Sequence, residues 1–453
     1  MSYSPQAFEP LTFFGALPRF RDGTDTPRAY LERCLEVIAE REPVLKAWVI
    51  LNLAGAREAA ERSAARYRAN RALSSIDGMP IGIKDLIETK DMPTEHGCPA
   101  FAGNQTRRDS AIVRALRDAG AIVLGKTVTT EMGGAFPGPT TNPFDASRTP
   151  GGSSSGSAAA IGARMVPAAI GTQVGGSLIR PASYCANYAL KPTMGALHRG
   201  ERQGYSQSHV GVHAGSLDDM WHVAIEIGRR AGGDPGQPGL FGGPELSPPA
   251  RSARLIVMET AGWASLDSKT RRGFDRILAA LRDAGVGVLG REDDPLIEAF
   301  ERGIADAKAI TTDICDWENR WSFENLVEQF PGKYNDTLYQ RLEAGRRLTL
   351  DDYRLRLLQR QEAKNWFAAI APLADAVISL ASPGPAPMSL RSTGDSIFNS
   401  PTSVLGAPAV TVPMLAIEGM PVGVQIVGQC HGDARVAGIA RWIAETVKPV
   451  VVD

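Results

Sequence analysis

GMPIGIKDLI (78–87), DSAIVRALRDAG (109–120) and AIVLGKT (121–127) decide the fold class. Alternating apolar residues in the first stretch predict a strand that delivers Lys84 and Asp85 at its end. Apolar residues in the second recur at three- and four-residue steps and Gly120 follows, which predicts a helix and its stop. The third is a short apolar run, a buried strand. Strand, helix, strand is the rhythm of a parallel or mixed sheet. Catalytic groups in such α/β folds sit at strand ends, where Lys84 and Asp85 fall.

Upstream, residues 27–71 carry helical periodicity interrupted near Pro43 and Asn52, so helices flank a short extended piece. Downstream, TTNPFDASRTPGGSSSGSAAAIGARMVPAAIGTQVGGS (140–177) holds two glycine-serine clusters separated by an Ala-rich helix and the apolar run 165–170. A solvated linker would have such a composition but not that setting between two ordered elements. SLDD (216–219) places a serine cap and an acid three residues later at the start of a helix. Residues 253–290 repeat strand, helix, strand, in ARLIVME, RRGFDRILAALRDAG and VGVLG, and read as scaffold. Residues 295–372 are helical and rich in aromatic and charged side chains, with a break at Pro331 and Gly332, and form a helical cover. Strand chemistry returns in ADAVISLA, PAVTVPM and VGVQIVG. The expectation is one large α/β domain over residues 1–453.

Composition narrows the class of function. Of 453 residues, 43 % are hydrophobic and 22 % charged, the balance of a globular protein able to bury a large core. Lys and Arg number 49 against 50 Asp and Glu, so a net charge of -1 supplies no bulk attraction to nucleic acid or an anionic membrane. A small-molecule partner is expected, with no nucleic acid and no membrane. The apolar stretch 158–170 is broken by Gly162 and Arg164, short of the ~20 residues of a membrane span. The first twenty residues lack the leader pattern of a signal peptide, and five scattered cysteines fit a reducing compartment; both point to the cytoplasm.

The six histidines offer little chemistry. His209 and His213 lie in HVGVH, with a glycine and no glutamate between them, unlike a helical zinc pair, so no metal is expected. GxSxG, Walker and GxGxxG signatures are absent, and no cofactor is implied. What remains is Lys84, the serines of GGSSSG, and Ser177 after two glycines. A lysine acts as a base only when neutral, which burial among apolar neighbours such as those of MPIGIK favours. Glycines let successive N–H groups converge on one point, which is how an oxyanion hole is built. On those grounds alone Ser177 competes with an ordinary solvated serine.

In order and spacing, GMPIGIKD (78–85), GAIVLGKTVTTE (120–131), TNPFDASRTPGGSSSGSAAAIGA (141–163) and GTQVGGSLIRPASYCANYALKPTMG (171–195) resemble the amidase signature family. SLDDM, LGAPAVTVP and GMPVGVQIVG extend the resemblance over most of the chain, densest at about 78–220. It implies a mixed, twisted sheet covered by helices, and a Ser, cis-Ser, Lys triad. Position by position, the lysine falls on Lys84, the cis-serine on Ser153, with a cis peptide from Gly152, and the nucleophile on Ser177. The oxyanion hole falls on the main-chain N–H groups of Val174, Gly175, Gly176 and Ser177. Three positions depart from the family's habit: Gln173 stands where an acid is usual, Leu178 and Ile179 precede Arg180 where the arginine usually comes two residues after the nucleophile, and Ser155 replaces a common glycine.

The resemblance implies a cofactor-free amidohydrolase that cleaves a small carboxamide or related amide or carbamoyl compound through a Ser177 acyl-enzyme. Met132, Phe136, Ser154 and Gln173 are the candidate substrate contacts. Two alternatives are a glutamine-hydrolysing subunit of a tRNA-dependent amidotransferase and a non-catalytic binding protein on the same scaffold. A homodimer is the default expectation among such proteins.

Overall fold

The computed structural model describes residues 2–134, 136–200 and 206–453. Its strands are β1 (Trp48–Leu51), β2 (Pro80–Lys84), β3 (Ile122–Thr127), β4 (Ala168–Gln173), β5 (Tyr188–Lys191), β6 (His209–Ala214), β7 (Arg254–Val257), β8 (Gly287–Leu289), β9 (Ala376–Leu380), β10 (Ala409–Ile417), β11 (Met420–Val427) and β12 (Val450–Val452). All join one sheet in the order β1-β3-β2-β4-β6-β5-β10-β11-β9-β7-β8, with β12 on the far end of β10. β2 runs parallel to β3 and β4, and β7 parallel to β8 and β9, whereas β4–β6, β6–β5, β5–β10 and β10–β11 are antiparallel. The sheet is therefore mixed, as expected, and it unites the chain in a single α/β domain.

The strands near the middle are buried on both faces, which is why they read as continuous apolar runs. One covering helix, Ser155–Gly162, is built of Ser, Gly, Ala and Ile and is buried on every side. Its thinness is required: a Cβ on Gly156 would collide with the Ala47 carbonyl and the Val128 amide. The close approach fixes the segment before this helix, Gly152 to Ser154, against the ends of β2 and β4.

The helical region resolves into Pro295–Ile304, Ala307–Gln329, Asp336–Arg347 and Leu350–Ala369, with a break that contains Pro331 and Gly332. At Leu217–Ala231, Ser216 caps the helix by accepting the Asp219 amide, while the Asp219 carboxylate accepts the amides of Phe13 and Phe14. Several elements lie outside the sequence reading, among them the helix Asp433–Thr446, and two bear on the site. HVGVH, weighed there only as a metal pair, is the buried strand β6, whose glycine meets Gly171 of β4 across the ladder. The short helix Ser400–Leu405 between β9 and β10 was not anticipated, since six residues opened by a proline show no helical period. Among the described residues no helix is long and apolar enough to cross a membrane.

Candidate active site

Lys84 ends β2 with its side chain fully buried. Its Nζ lies 2.6 Å from Ser153 Oγ, 2.8 Å from Thr172 Oγ1 and 3.0 Å from Ser154 Oγ. These partners are all hydroxyls, and burial drives the Lys84 pKa well below its ordinary value. Asp85, the next residue, points elsewhere and pairs with Lys126 at 3.0 Å in a second buried cluster. Burial above all holds the His213 pKa down to about 3, so this neighbouring imidazole is a weak base.

The Gly152–Ser153 peptide is cis. Arg180, fully engaged beneath it, donates through Nη2 to the Gly152 carbonyl (2.8 Å) and through Nε to the Thr393 carbonyl (2.7 Å). The shifted arginine of the sequence therefore braces the segment that carries Ser153. Ser154 is wholly buried; its hydroxyl donates to the Thr172 carbonyl and accepts the Thr172 amide, both at 3.2 Å. It steadies Lys84 from behind, which corrects its expected place among the substrate contacts: no surface remains for a ligand to touch.

Ser177 is half-exposed at the end of the loop that follows β4. The carbonyls of this loop are tied back on one side. Gly175 accepts from the Ser403 hydroxyl (3.0 Å), Gly176 from the Arg180 amide (3.1 Å) and Ser177 from the Ser154 amide (3.1 Å). In a trans peptide the N–H points opposite to the C=O, so anchoring the Gly175 and Gly176 carbonyls turns the amides of Gly176 and Ser177 the other way. Gln173 is also corrected. It is fully buried, and its Oε1 accepts the amides of Leu178 and Ile179, each at 3.0 Å, while Nε2 donates to Ser403 at 3.1 Å. The absent acid is thus replaced by a neutral acceptor that holds the chain just after Ser177.

Ser153, Ser177, Thr172 and Val174 share a cavity of about 60 Å³, with Met132 in its wall. It adjoins a wider one of about 690 Å³ through Leu86, Met132 and Asn319. Phe136 is 48 % exposed and stands outside the Ser177 cavity, so of the expected pocket side chains only Met132 lines it. The loop bearing Met132 is pinned to the helical cover, since Glu131 accepts the Asn335 amide at 3.2 Å. That cover supplies Cys315, Asn319 and Arg341 to the cavity wall, and Arg341 pairs with Asp316 at 2.7 Å. Sequence reasoning had none of these three. Their only trace was the aromatic and charged character of the helices, which does not say which face meets a distant loop. Among the described residues no cluster of three His, Cys, Asp or Glu could hold a metal ion.

Comparison with known proteins finds the Amidase family pattern over residues 29–437. One relative, a component of the glutamyl-tRNA(Gln) amidotransferase of Chloroflexus aurantiacus, is 28 % identical over 94 % of both chains. The same component from Chloroflexus aggregans is 38 % identical over 50 % of this chain, which spans 47 % of the relative's length there. Among solved structures, one described as an amidase superposes with a TM-score of 0.82 at 26 % identity, covering 96 % of this chain and 99 % of that one. A bacterial aryl acylamidase has the same fold, with a TM-score of 0.84 at 18 % identity over 97 % of each chain.

Proposed function

This chain belongs to the Amidase family, the amidase signature enzymes that hydrolyse C–N bonds, and from that premise we propose that it hydrolyses a small carboxamide or related amide through an acyl-enzyme on Ser177. The observation that carries this reading is the contact of Lys84 Nζ with Ser153 Oγ at 2.6 Å, in a nest of hydroxyls beside the cavity that Ser177 and Ser153 share.

Ser177 Oγ attacks the carbonyl carbon and gives its proton to Ser153, whose own proton passes to neutral Lys84. The oxyanion faces the amides of the 174–177 loop, where preorganised donors lower the barrier by several kcal/mol, roughly 3 per donor. The relay then runs backward: Lys84 returns a proton through Ser153 to the leaving nitrogen, which departs as ammonia or amine. Water adds to the acyl-enzyme, giving its proton to Lys84 through Ser153; the bond to Ser177 Oγ then breaks, Oγ takes that proton back, and the acid leaves. Five free cysteines suit a reducing compartment, and we place this chemistry in the cytoplasm.

Labelling with a fluorophosphonate followed by peptide mass spectrometry tests the reading. An adduct on Ser177 that disappears in Lys84→Ala is expected; a folded wild-type protein that takes no label contradicts it. A second reading draws on the amidotransferase relatives, which are named as subunits: glutamine is the amide, and partner subunits complete the enzyme. Glutaminase activity that appears only on adding such subunits would select it over the free-standing hydrolase.

A further inference from the structure

We propose that Ser403 is a positioning residue for the oxyanion hole, acting with Gln173 as a neutral clamp that sets the direction of the Gly176 amide. The inference rests on the hydrolase reading above and assigns work to a residue outside the triad and its loop.

The argument is an account of protons. Gln173 Oε1 faces two amide donors, Leu178 and Ile179 at 3.0 Å each, so the side-chain amide has one sensible orientation and its NH2 must face Ser403. Ser403 Oγ accepts from that NH2 at 3.1 Å and therefore keeps its own proton to donate to the Gly175 carbonyl at 3.0 Å. Each group in the chain Leu178/Ile179, Gln173, Ser403, Gly175 thus has a donor matched to an acceptor. Its two ends lie on either side of the nucleophile, one before it at Gly175 and one after it at Leu178 and Ile179. Its side chains are buried, Gln173 and Ser403 being at most 1 % exposed, and it ends at the half-buried Gly175.

Fixing the Gly175 carbonyl fixes the peptide plane it shares with the Gly176 N–H, and two successive glycines have no side chain to do so themselves. Without the clamp that plane loses its anchor at Gly175, and the aim of the amide at the oxyanion is no longer fixed. An acid at position 173 would accept from Leu178 and Ile179 equally well but would have no proton for Ser403. The Ser403 proton would then be drawn to the carboxylate, and Gly175 would lose its donor. Glutamine at 173 and serine at 403 are therefore one device. Ser403 reaches the loop because the short helix Ser400–Leu405 packs beneath it, at a distance of 230 residues in the chain from Gln173.

The test compares wild type, Ser403→Ala, Ser403→Thr, Gln173→Glu and the double variant Gln173→Glu/Ser403→Ala, reading fluorophosphonate labelling rate at Ser177 and steady-state kinetics on an amide that wild type cleaves. Ser403→Ala is expected to lower kcat and the labelling rate roughly 10- to 100-fold with KM within about twofold, because the lost interaction serves the transition state. Ser403→Thr, which keeps the hydroxyl, is expected to recover to within about threefold of wild type. Gln173→Glu should resemble Ser403→Ala, and the double variant should lose no more than the worse single one, since both changes break one chain. Unchanged labelling in a folded Ser403→Ala protein, failure of threonine to rescue, or additive losses in the double variant would overturn the clamp while leaving the nucleophile in place. Absence of labelling in wild type would instead remove the hydrolase reading, and the clamp with it.

Discussion

Arg180 donates to the carbonyl of Gly152 at 2.8 Å, so the peptide that carries Ser153 is held by a guanidinium from the helix that begins two residues after Ser177. The same side chain reaches the Thr393 carbonyl at 2.7 Å, and burial lowers its pKa, though an arginine stays charged. Arg180→Met leaves two buried carbonyls without their donor. It is expected to cost roughly 2–3 kcal/mol of stability, measured by urea unfolding, and to slow Ser177 labelling. Arg180→Lys can serve one carbonyl at a time and should fall between the two. A Met variant as stable and as reactive as wild type would contradict the bracing role.

Activity should rise with pH. Burial holds Lys84 well below its ordinary value of 10.5, and only its neutral form accepts the relayed proton. As pH falls through the folded-state pKa, Lys84 charges and kcat/KM declines. The same shift acts on stability. Between the folded pKa and the unfolded one the unfolded chain holds one more proton than the folded chain at this site, so the free energy of unfolding increases with pH in that window. Lys84→Met removes this contribution. Its unfolding free energy, measured across pH, should show a shallower slope than wild type, and equal slopes would count against a neutral buried lysine.

The Asp85–Lys126 pair is a paired counterpart to the hydroxyl-bound Lys84. Both side chains are fully buried at 3.0 Å, and Lys126 also donates to the Pro93 carbonyl and Thr94 hydroxyl. Burial raises the Asp85 pKa and lowers that of Lys126, each opposed by the partner's charge. Removing one charge strands the other, so Lys126→Met is expected to destabilise by ~3–5 kcal/mol. Lys126→Met combined with Asp85→Leu should recover part of that loss in chemical denaturation. A double variant worse than the single one would show that packing, not charge, governs the site.

Cavity size bears on the substrate. On the proposed reading, the cavity of about 60 Å³ beside Ser177 takes the acyl group and the adjoining 690 Å³ the leaving amine. Acetyl and propionyl amides are expected to exceed hexanoyl amides in kcat/KM by at least tenfold. Met132→Ala, which opens the wall, should narrow that ratio. A panel of amides with one leaving group and acyl chains of increasing length reads it directly, and a flat profile would refute the size limit.

The positions proposed for the relay could be singled out because their signals are local. Lys84 ends an alternating strand, and Ser153 and Ser177 sit in glycine-rich junctions that the family resemblance could match residue by residue. Gln173 shows the limit of that reading. Its type revealed a missing charge, but not that the amides five and six residues ahead would donate to it. Ser403, Cys315, Asn319 and Arg341 were beyond reach for another reason. They approach the site through tertiary packing from distant parts of the chain, and nothing in a helix's own period names the loop it will meet. β6 was obscured by its two histidines, whose burial between β4 and β5 makes them core residues.

The strand order has a consequence for how the chain is assembled. β10 and β11, made from residues 409–427, lie between β5 on one side and β9 on the other. Until they emerge during synthesis, the earlier strands can form only two separate half-sheets, each presenting a raw, strongly apolar margin to its neighbours. Exposed margins of this kind recruit other chains. A ribosome that stalls before residue 409 therefore releases a sticky pair of half-built layers, and the last tenth of the sequence acts as the keystone that joins them.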